Sequence, residues 1–518
     1  MAAETIARDS GDATAPASAA GSAGMFAALR AAHAREPATD WSTRARRLRA
    51  LKSLILDNRA AIAAAIAVDF GRRPAEETDL LEVFPCLSGI RYALRHGRRW
   101  MRPRRNWAGT WFLPARTELR RQPLGVVGII APWNYPLYLA AGPLTDALVA
   151  GNRVLLKMPE LTPRFSALFA QLVASHFAAD EVAVVNGGAD AARAFAALPF
   201  DHLLFTGSTA IGREVMRAAA ANLTPVTLEL GGKSPAIIGP EARFGHAVER
   251  IVVGKLLNAG QTCIAPDYVL LPRARVPAFV EAARAAVAKL YPDLRDNAQY
   301  AGIASDRHFA RLASLCDDAV ASGASAHLLA SPARGARVFT PTALTDVDDR
   351  MQVMQQEIFG PLLPLLPYDT LDQALDYVAA HAHPLALYVF DENPATIDRV
   401  LAHVHAGGVT VNDTILHIAQ HHLPFGGTGA SGMGAYHGEF GFRTFSRMTP
   451  VFRQARWNAV RLLAPPYGAA FRGLLKGRRG REAAGGAAAA WAGRARTRPA
   501  RASAITWRIH NRESSSRE

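Results

Sequence analysis

Between residues 126 and 229 short apolar runs alternate with longer stretches whose apolar positions recur at helical spacing. The runs at 126–130, 153–157, 182–185, 202–206 and 227–229 predict strands, the first of them apolar throughout, as a strand buried on both faces requires. The stretches at 142–151, 161–177, 189–198 and 211–222 predict helices. Strands that alternate with helices imply a parallel, doubly wound sheet, the form in which dinucleotide sites are built. A second alternating series follows, with strands expected at 235–238, 268–271, 362–368, 385–390 and 409–412, the last of them returning the chain to the cleft. Upstream, residues 25–102 predict helices, with Leu48, Leu51, Leu54 and Ile55 on one face and Gly71 as a stop. Residues 117–122 and 445–452 predict extended arms, and five glycines between Gly426 and Gly434 punctuate a loop.

Candidate chemistry is concentrated at a few points of this pattern. Cys263 follows the small and polar residues Asn258 to Thr262 and precedes a strand, so it reads as a thiol carried on a loop. A lone cysteine is otherwise core filling, the reading that suits Cys86 and Cys316. Glu229 ends a strand at a Gly231-Gly232 turn, and Asn134 lies in a Pro132-Trp133-Asn134 turn after another. Thiol, carboxylate and amide donor are the groups that acyl chemistry on an aldehyde needs. At Gly207-Ser208-Thr209, with Gly212 beyond, a strand runs through a turn into a helix. Such a turn can hold a pyrophosphate on backbone N–H groups or be a plain connection. Lys157 and Glu160 follow a strand end, where they can meet a ribose or form a solvated charge pair.

Taken together these segments resemble the aldehyde dehydrogenase superfamily over residues 26–455. The matching motifs are Pro132-Trp133-Asn134, Phe205-Thr206-Gly207-Ser208-Thr209, Leu228 to Lys233, Gly260-Gln261-Thr262-Cys263, Glu357 to Pro361 and Pro424-Phe425-Gly426-Gly427. Residues 412–417, 432–438 and 264–268 are similar to the branch that holds fatty, aromatic and coniferyl aldehyde dehydrogenases. The resemblance implies an α/β fold: a doubly wound cofactor domain over 25–229, with 103–122 joining a small β oligomerisation arm, and a second α/β catalytic domain over 230–407. A return segment, glycine-rich loop and arm fill 408–465, between a disordered lead at 1–24 and a basic disordered tail at 466–518. It implies oxidation of an aromatic or medium-chain apolar aldehyde to the acid, with Cys263 as nucleophile, Asn134 and the Cys263 N–H receiving the oxyanion, and Glu229 activating water. Cofactor contacts are implied at Pro132, Trp133, Lys157, Glu160, Gly207, Ser208, Thr209, Gly212, Glu357 and Phe359. NAD is the expected cofactor, since Glu160 would repel a 2′-phosphate, with NADP as the alternative. A homodimer is expected. The alternative chemistry is transfer of the acyl group to coenzyme A, against which Glu229 stands.

Composition sharpens this picture. The formal net charge of +15 is uneven: from Phe471 onward 12 Lys and Arg face 3 acidic residues, more than half of the excess. That Ala-, Gly- and Arg-rich tail has no apolar period and reads as solvated, with weak salt-sensitive nucleic-acid contact as the rival reading. Three cysteines suggest no disulfide framework and suit the cytoplasm. No run approaches the roughly 20 apolar residues of a membrane span. His417, His421, His422 and His437 lack a cysteine or carboxylate ligand pattern, so no metal is expected.

Overall fold

The structure is a computed structural model that describes residues 19–109, 112–294, 297–332, 337–458 and 464–476 other than 470 and 474. The lead before Ala19 and the tail beyond residue 476 lie outside the described residues. The lead as read from sequence is too long: the helix Ala19–Arg35 begins inside it. Phe26 and Leu29 of that helix pack into an apolar cluster with Val126, Phe200 and Leu203, a burial that the alanine-rich composition hides.

The first predicted sheet is present. It has six strands, in spatial order Gly432–Met433, Val226–Leu230, His202–Gly207, Val126–Ile130, Arg153–Lys157, Val182–Val185, and all pairs but the first are parallel. The chain lays down Val126–Ile130, builds outward to Val182–Val185, then crosses to His202–Gly207 on the opposite side. The strand order therefore reverses between Val126–Ile130 and His202–Gly207, and open α/β sheets bind ligands at the carboxyl ends of strands at such a point. Ile130 leads into Pro132-Trp133-Asn134, and Gly207 leads into Ser208, whose hydroxyl accepts from Ile211 N at 3.4 Å to cap the helix Thr209–Ala220.

The second sheet has seven strands rather than the five read from sequence. Their order is Ser325–Leu328, Thr342–Thr345, Leu362–Tyr368, Tyr268–Pro272, Pro235–Ile238, Ala386–Phe390, Gly408–Val411. The additions are short: Ser325–Leu328 is a largely exposed antiparallel edge, and neither has the long apolar run that marks a buried strand. Gly408–Val411 pairs in parallel with Ala386–Phe390, so the second sheet runs past the expected boundary at 407. The segment that returns to the first sheet is instead Gly432–Met433, antiparallel to Leu228 and Glu229. Both sheets lie in one compact unit, which takes in the described residues up to Arg104 and those from Leu119 to Thr449.

The arms at Arg116–Pro123 and Ser446–Arg453 form a three-stranded sheet with Arg104–Asn106. A second compact unit, drawn from the described residues of 105–118 and of 450–476, holds an Arg453–Glu118 ion pair at 3.0 Å and an edge-on contact of Phe112 with Phe452. Among the described residues no helix is long and apolar enough to cross a membrane.

Gly432 sits at φ 138°, and a Cβ there would stand 2.0 Å from the Leu228 carbonyl oxygen. Gly432→Ala should therefore lower the unfolding free energy by about 1–3 kcal/mol, read as an earlier thermal or denaturant midpoint.

Candidate active site

The two sheets converge on a cavity of 1080 Å³ at the carboxyl ends of the first sheet. Its walls include Pro132, Trp133, Asn134, Lys157, Glu160, Gly207, Ser208, Thr209, Glu229, Cys263, Glu357 and Phe359. Gly212 alone among the expected site residues is not at the wall. It lies one helical turn in, where a Cβ would stand 2.6 Å from Leu230 Cδ2, so its smallness permits close helix–sheet contact.

The thiol loop is built from backbone that most residues avoid. Helix Phe244–Leu256 ends, and Asn258, Ala259 and Gly260 all adopt positive φ (52°, 51° and 77°). A Cβ on Gly260 would meet the Gly360 carbonyl oxygen at 2.5 Å. Side chains hold this turn. Gln261 Nε2 donates to the carbonyls of Asn258 (2.9 Å) and Gly302 (3.0 Å), and its Oε1 accepts from Ala304 N at 2.9 Å. Asn258 Nδ2 donates to the Asn134 carbonyl at 3.0 Å and the Gln261 carbonyl at 3.2 Å. Tyr135 and Thr262 share a hydroxyl hydrogen bond at 2.5 Å, and the Tyr388 hydroxyl donates to the Ile264 carbonyl.

Asn134 is 3 % exposed. Its Nδ2 donates to the Gln261 carbonyl at 3.1 Å, which fixes the amide against the thiol loop. A primary amide carries two N–H groups, so one is anchored and the second remains for an oxygen in the cavity. Glu229, 2 % exposed, has no partner for either carboxylate oxygen, and burial pushes its pKa well above the ordinary range. The Cys263 thiol is partly exposed on the wall. Apolar surroundings push its pKa up, and the charges of Glu357 and Glu229 add to the rise. The backbone N–H groups of Cys263 and Ile264 oppose it. A buried unpaired carboxylate is expensive unless it stays protonated or meets a ligand, so this arrangement marks chemistry rather than stability.

Opposite the thiol, Glu357 packs where a Cβ on Gly231 would meet its Oε2 at 2.0 Å. It accepts from Gly232 N and is pushed up to about 8, first by burial and then by Asp267. Its loop is tied down at several points. Asp267 accepts from Ile358 N at 3.0 Å and pairs with Lys233, which donates to the carbonyls of Val353 (2.8 Å) and Gln356 (3.0 Å). Arg311 donates to the Glu357 carbonyl at 3.2 Å and to that of Ile358. Phe359 meets Trp133 edge-on at 5.4 Å, and His308 packs on Trp133 at 4.8 Å. Lys157, buried, donates to the carbonyls of Met158 (2.7 Å) and Gly187 (2.6 Å), while Glu160 is exposed at the rim. Lys157 and Glu160 thus form no close ion pair, although Glu160 partly counters the lowering of the Lys157 pKa by burial.

Several wall residues went unread in the sequence. Ala189, Ala192 and Ala196 present the small face of one helix, a spacing that was visible but not distinctive. His308 and Arg311 lie on the helix Asp306–Ala321, far from every motif, and only tertiary packing brings them to the cavity. Among the described residues no cluster of three or more His, Cys, Asp or Glu side chains could hold a metal.

Residues 2–451 match the model of the aldehyde dehydrogenase family. A probable coniferyl aldehyde dehydrogenase of Pseudomonas aeruginosa is 51 % identical over 451 residues, 87 % of this chain and 94 % of the relative. The solved substrate-bound state of AldH from Staphylococcus aureus superposes with a TM-score of 0.83 at 34 % identity, covering 88 % of this chain and 98 % of that one. An NAD-dependent aldehyde dehydrogenase from Sinorhizobium meliloti gives a TM-score of 0.78 at 28 % identity, with 86 % and 89 % covered. With a thiol, an anchored amide and an unpaired carboxylate on one cavity wall, and a family match that spans most of its length, this chain belongs to the aldehyde dehydrogenase family and is an aldehyde-oxidising oxidoreductase.

Proposed function

We propose that the chain oxidises an aromatic aldehyde of the coniferyl type to its carboxylic acid with a nicotinamide dinucleotide. The observation that carries the chemistry is the meeting of Cys263, Asn134 and Glu229 on one wall. The substrate class rests on the 51 % identity to the Pseudomonas aeruginosa relative. The cavity fits the cofactor on its own terms. Its volume of 1080 Å³ suits an extended ligand, the first turn of helix Thr209–Ala220 lines it, and Thr206 Oγ1 and Glu357 Oε1 are buried there without partners. Trp133, Phe359, Glu357 and Lys157 would hold the dinucleotide, with Glu160 at the rim, where its charge disfavours a 2′-phosphate and so selects NAD over NADP. When bound, the nicotinamide supplies the two-electron acceptor.

In the reading proposed, Cys263 Sγ adds to the aldehyde carbon and the thiol proton passes to water in the cavity. The carbonyl oxygen takes up charge against the second N–H of Asn134 and the backbone N–H of Cys263, donors worth about 3–4 kcal/mol each in such sites. Oxidation of the adduct leaves a thioester on Cys263. Glu229 then takes a proton from water, whose oxygen attacks the acyl carbon and releases the acid and the thiol. The high proton affinity of Glu229 suits a base. A thiol that works by nucleophilic attack must stay reduced, which suits a cytoplasmic setting. We read the strands Arg116–Pro123 and Ser446–Arg453 as contacts of a homodimer.

The deciding experiment is an aldehyde panel, cinnamyl-type against straight-chain, followed by reduced cofactor and by product. A thioester with added coenzyme A in place of the acid would overturn the hydrolytic reading, and a preference for straight chains would overturn the substrate class. Cys263→Ala should abolish oxidation. Glu229→Gln should keep a burst of reduced cofactor while slowing turnover by about 100-fold or more, and equal loss of both would count against a role confined to hydrolysis.

Glu357 offers a pH test. A carboxyl raised from 4.5 to about 8 on folding keeps its proton in the native state while the unfolded chain releases it. Its contribution to stability is complete below pH 4.5 and is lost as pH rises through about 8. Glu357→Gln should flatten the fall in unfolding midpoint of the ligand-free protein across that window, whereas an unchanged slope would show that the group ionises normally.

A further inference from the structure

Beneath the site, outside the cavity wall, lies a charged cluster that the chemistry above does not use. Arg73, Glu77 and Glu82 are buried. Arg73 stands 3.0 Å from Glu82 Oε1 and 4.0 Å from Glu77 Oε2. Its guanidinium also lies 5.0 Å from the ring centres of Phe70 and of Tyr135, the residue after Asn134. Desolvating an arginine with two carboxylates is a poor way to gain stability, since apolar side chains of similar size would fill the space at lower cost. What distinguishes the cluster is where its remaining atoms go. Arg73 Nη1 donates to the Asn134 carbonyl at 3.1 Å. Glu77 Oε1 accepts from Asn258 N at 2.6 Å, at the first left-handed residue of the thiol loop. Glu82 Oε2 accepts from Leu137 N (2.7 Å) and Tyr138 N (3.1 Å), where the helix Tyr138–Ala150 begins.

Resting on the oxidation mechanism proposed above, we infer that Arg73 is a positioning residue that sets the amide of Asn134 for the oxyanion, with Glu77 and Glu82 locking Arg73 between the Asn134 turn and the thiol loop. The geometry carries this reading. The Asn134 carbonyl receives both Arg73 Nη1 and Asn258 Nδ2, and the Asn134 amide is spent once on Gln261. The peptide is therefore gripped at its oxygen while the side chain is aimed from the other end. The amide and the backbone N–H of Cys263 belong to segments 127 residues or more apart in sequence, and the cluster bridges them. Arg73 touches no reacting atom. Loss of the Nη1 hydrogen bond would let Asn134 drift by a fraction of an ångström, enough to weaken a directional donor.

The test is a double-mutant cycle read in single turnovers of the full chain with NAD and an aromatic aldehyde. The reduced-cofactor burst is followed as a rate constant and normalised to sites that react with iodoacetamide. Arg73→Lys should slow the burst roughly 10- to 100-fold with the KM for NAD unchanged. In an Asn134→Ala background the same change should cost no more than about twofold, because nothing remains to aim. Equal loss in both backgrounds would overturn the proposal. So would a wild-type rate constant on fewer reactive sites, which is the signature of a merely structural role. Should Arg73→Lys give no reactive sites, Arg73→Gln, a neutral side chain that ends two bonds short of the Asn134 carbonyl, is read by the same criteria, and loss of reactive sites in both variants also overturns it. Absence of any burst in the unmodified protein would instead refute the oxidation mechanism itself.

Discussion

Everything reactive in this protein depends on a chain reversal that side chains disfavour. Asn258, Ala259 and Gly260 follow one another with positive φ, so that helix Phe244–Leu256 can stop and deliver Cys263 to the cavity within a few residues. A backbone held in this region is costly and persists only where its surroundings overdetermine it. Here they do so through Gln261, through the Nδ2 of Asn258 and through the Oε1 of Glu77, each of which bonds to main-chain groups. These bonds hold the loop that carries Cys263 in place.

The same economy applies to the groups around it. Asn134 and Ser208 leave the ends of the two strands at which the first sheet reverses its order, so neither needs a long loop to reach the cavity. Glu229 lies on the next strand, opposite Thr206 in register. The seven-stranded sheet contributes the thiol and Glu357 from the far side. Within this frame the carboxylates are left without strong partners. Native-state stability gives up something at Glu229 and Glu357, whose charged forms are disfavoured, and the cavity gains two carboxyls that hold their protons more tightly than free ones.

Much of this was legible in the chain before folding. The buried parallel strands announced themselves as unbroken apolar runs, and Cys263, Glu229 and Asn134 stood in short motifs whose order matched a family. The signal failed where burial is decided by distant partners. Ser325–Leu328 and Thr342–Thr345 are short and mixed in polarity, so they look like loop until a neighbour pairs with them. The opening helix is alanine-rich and looks like an unstructured lead until Phe26 and Leu29 find their pocket. Gly212 looked like a phosphate-binding glycine because its motif is shared by both uses, and the nearness of Leu230 appears only in the fold. Arg73 looked like one basic residue among many, since no local pattern distinguishes a guanidinium that will be enclosed from one that will be solvated.

The short pairing of Gly432–Met433 with Leu228–Glu229 closes the first sheet from late in the chain. During synthesis, therefore, Asn134, Glu229 and Cys263 leave the ribosome before the backbone that lies alongside Glu229. A nascent chain that ends ahead of that pairing has its thiol, its amide and its carboxylate, yet Glu229 sits on an open sheet edge with water on one side. The strand that carries Glu229 thus gains its outer neighbour only from a segment far downstream in the chain.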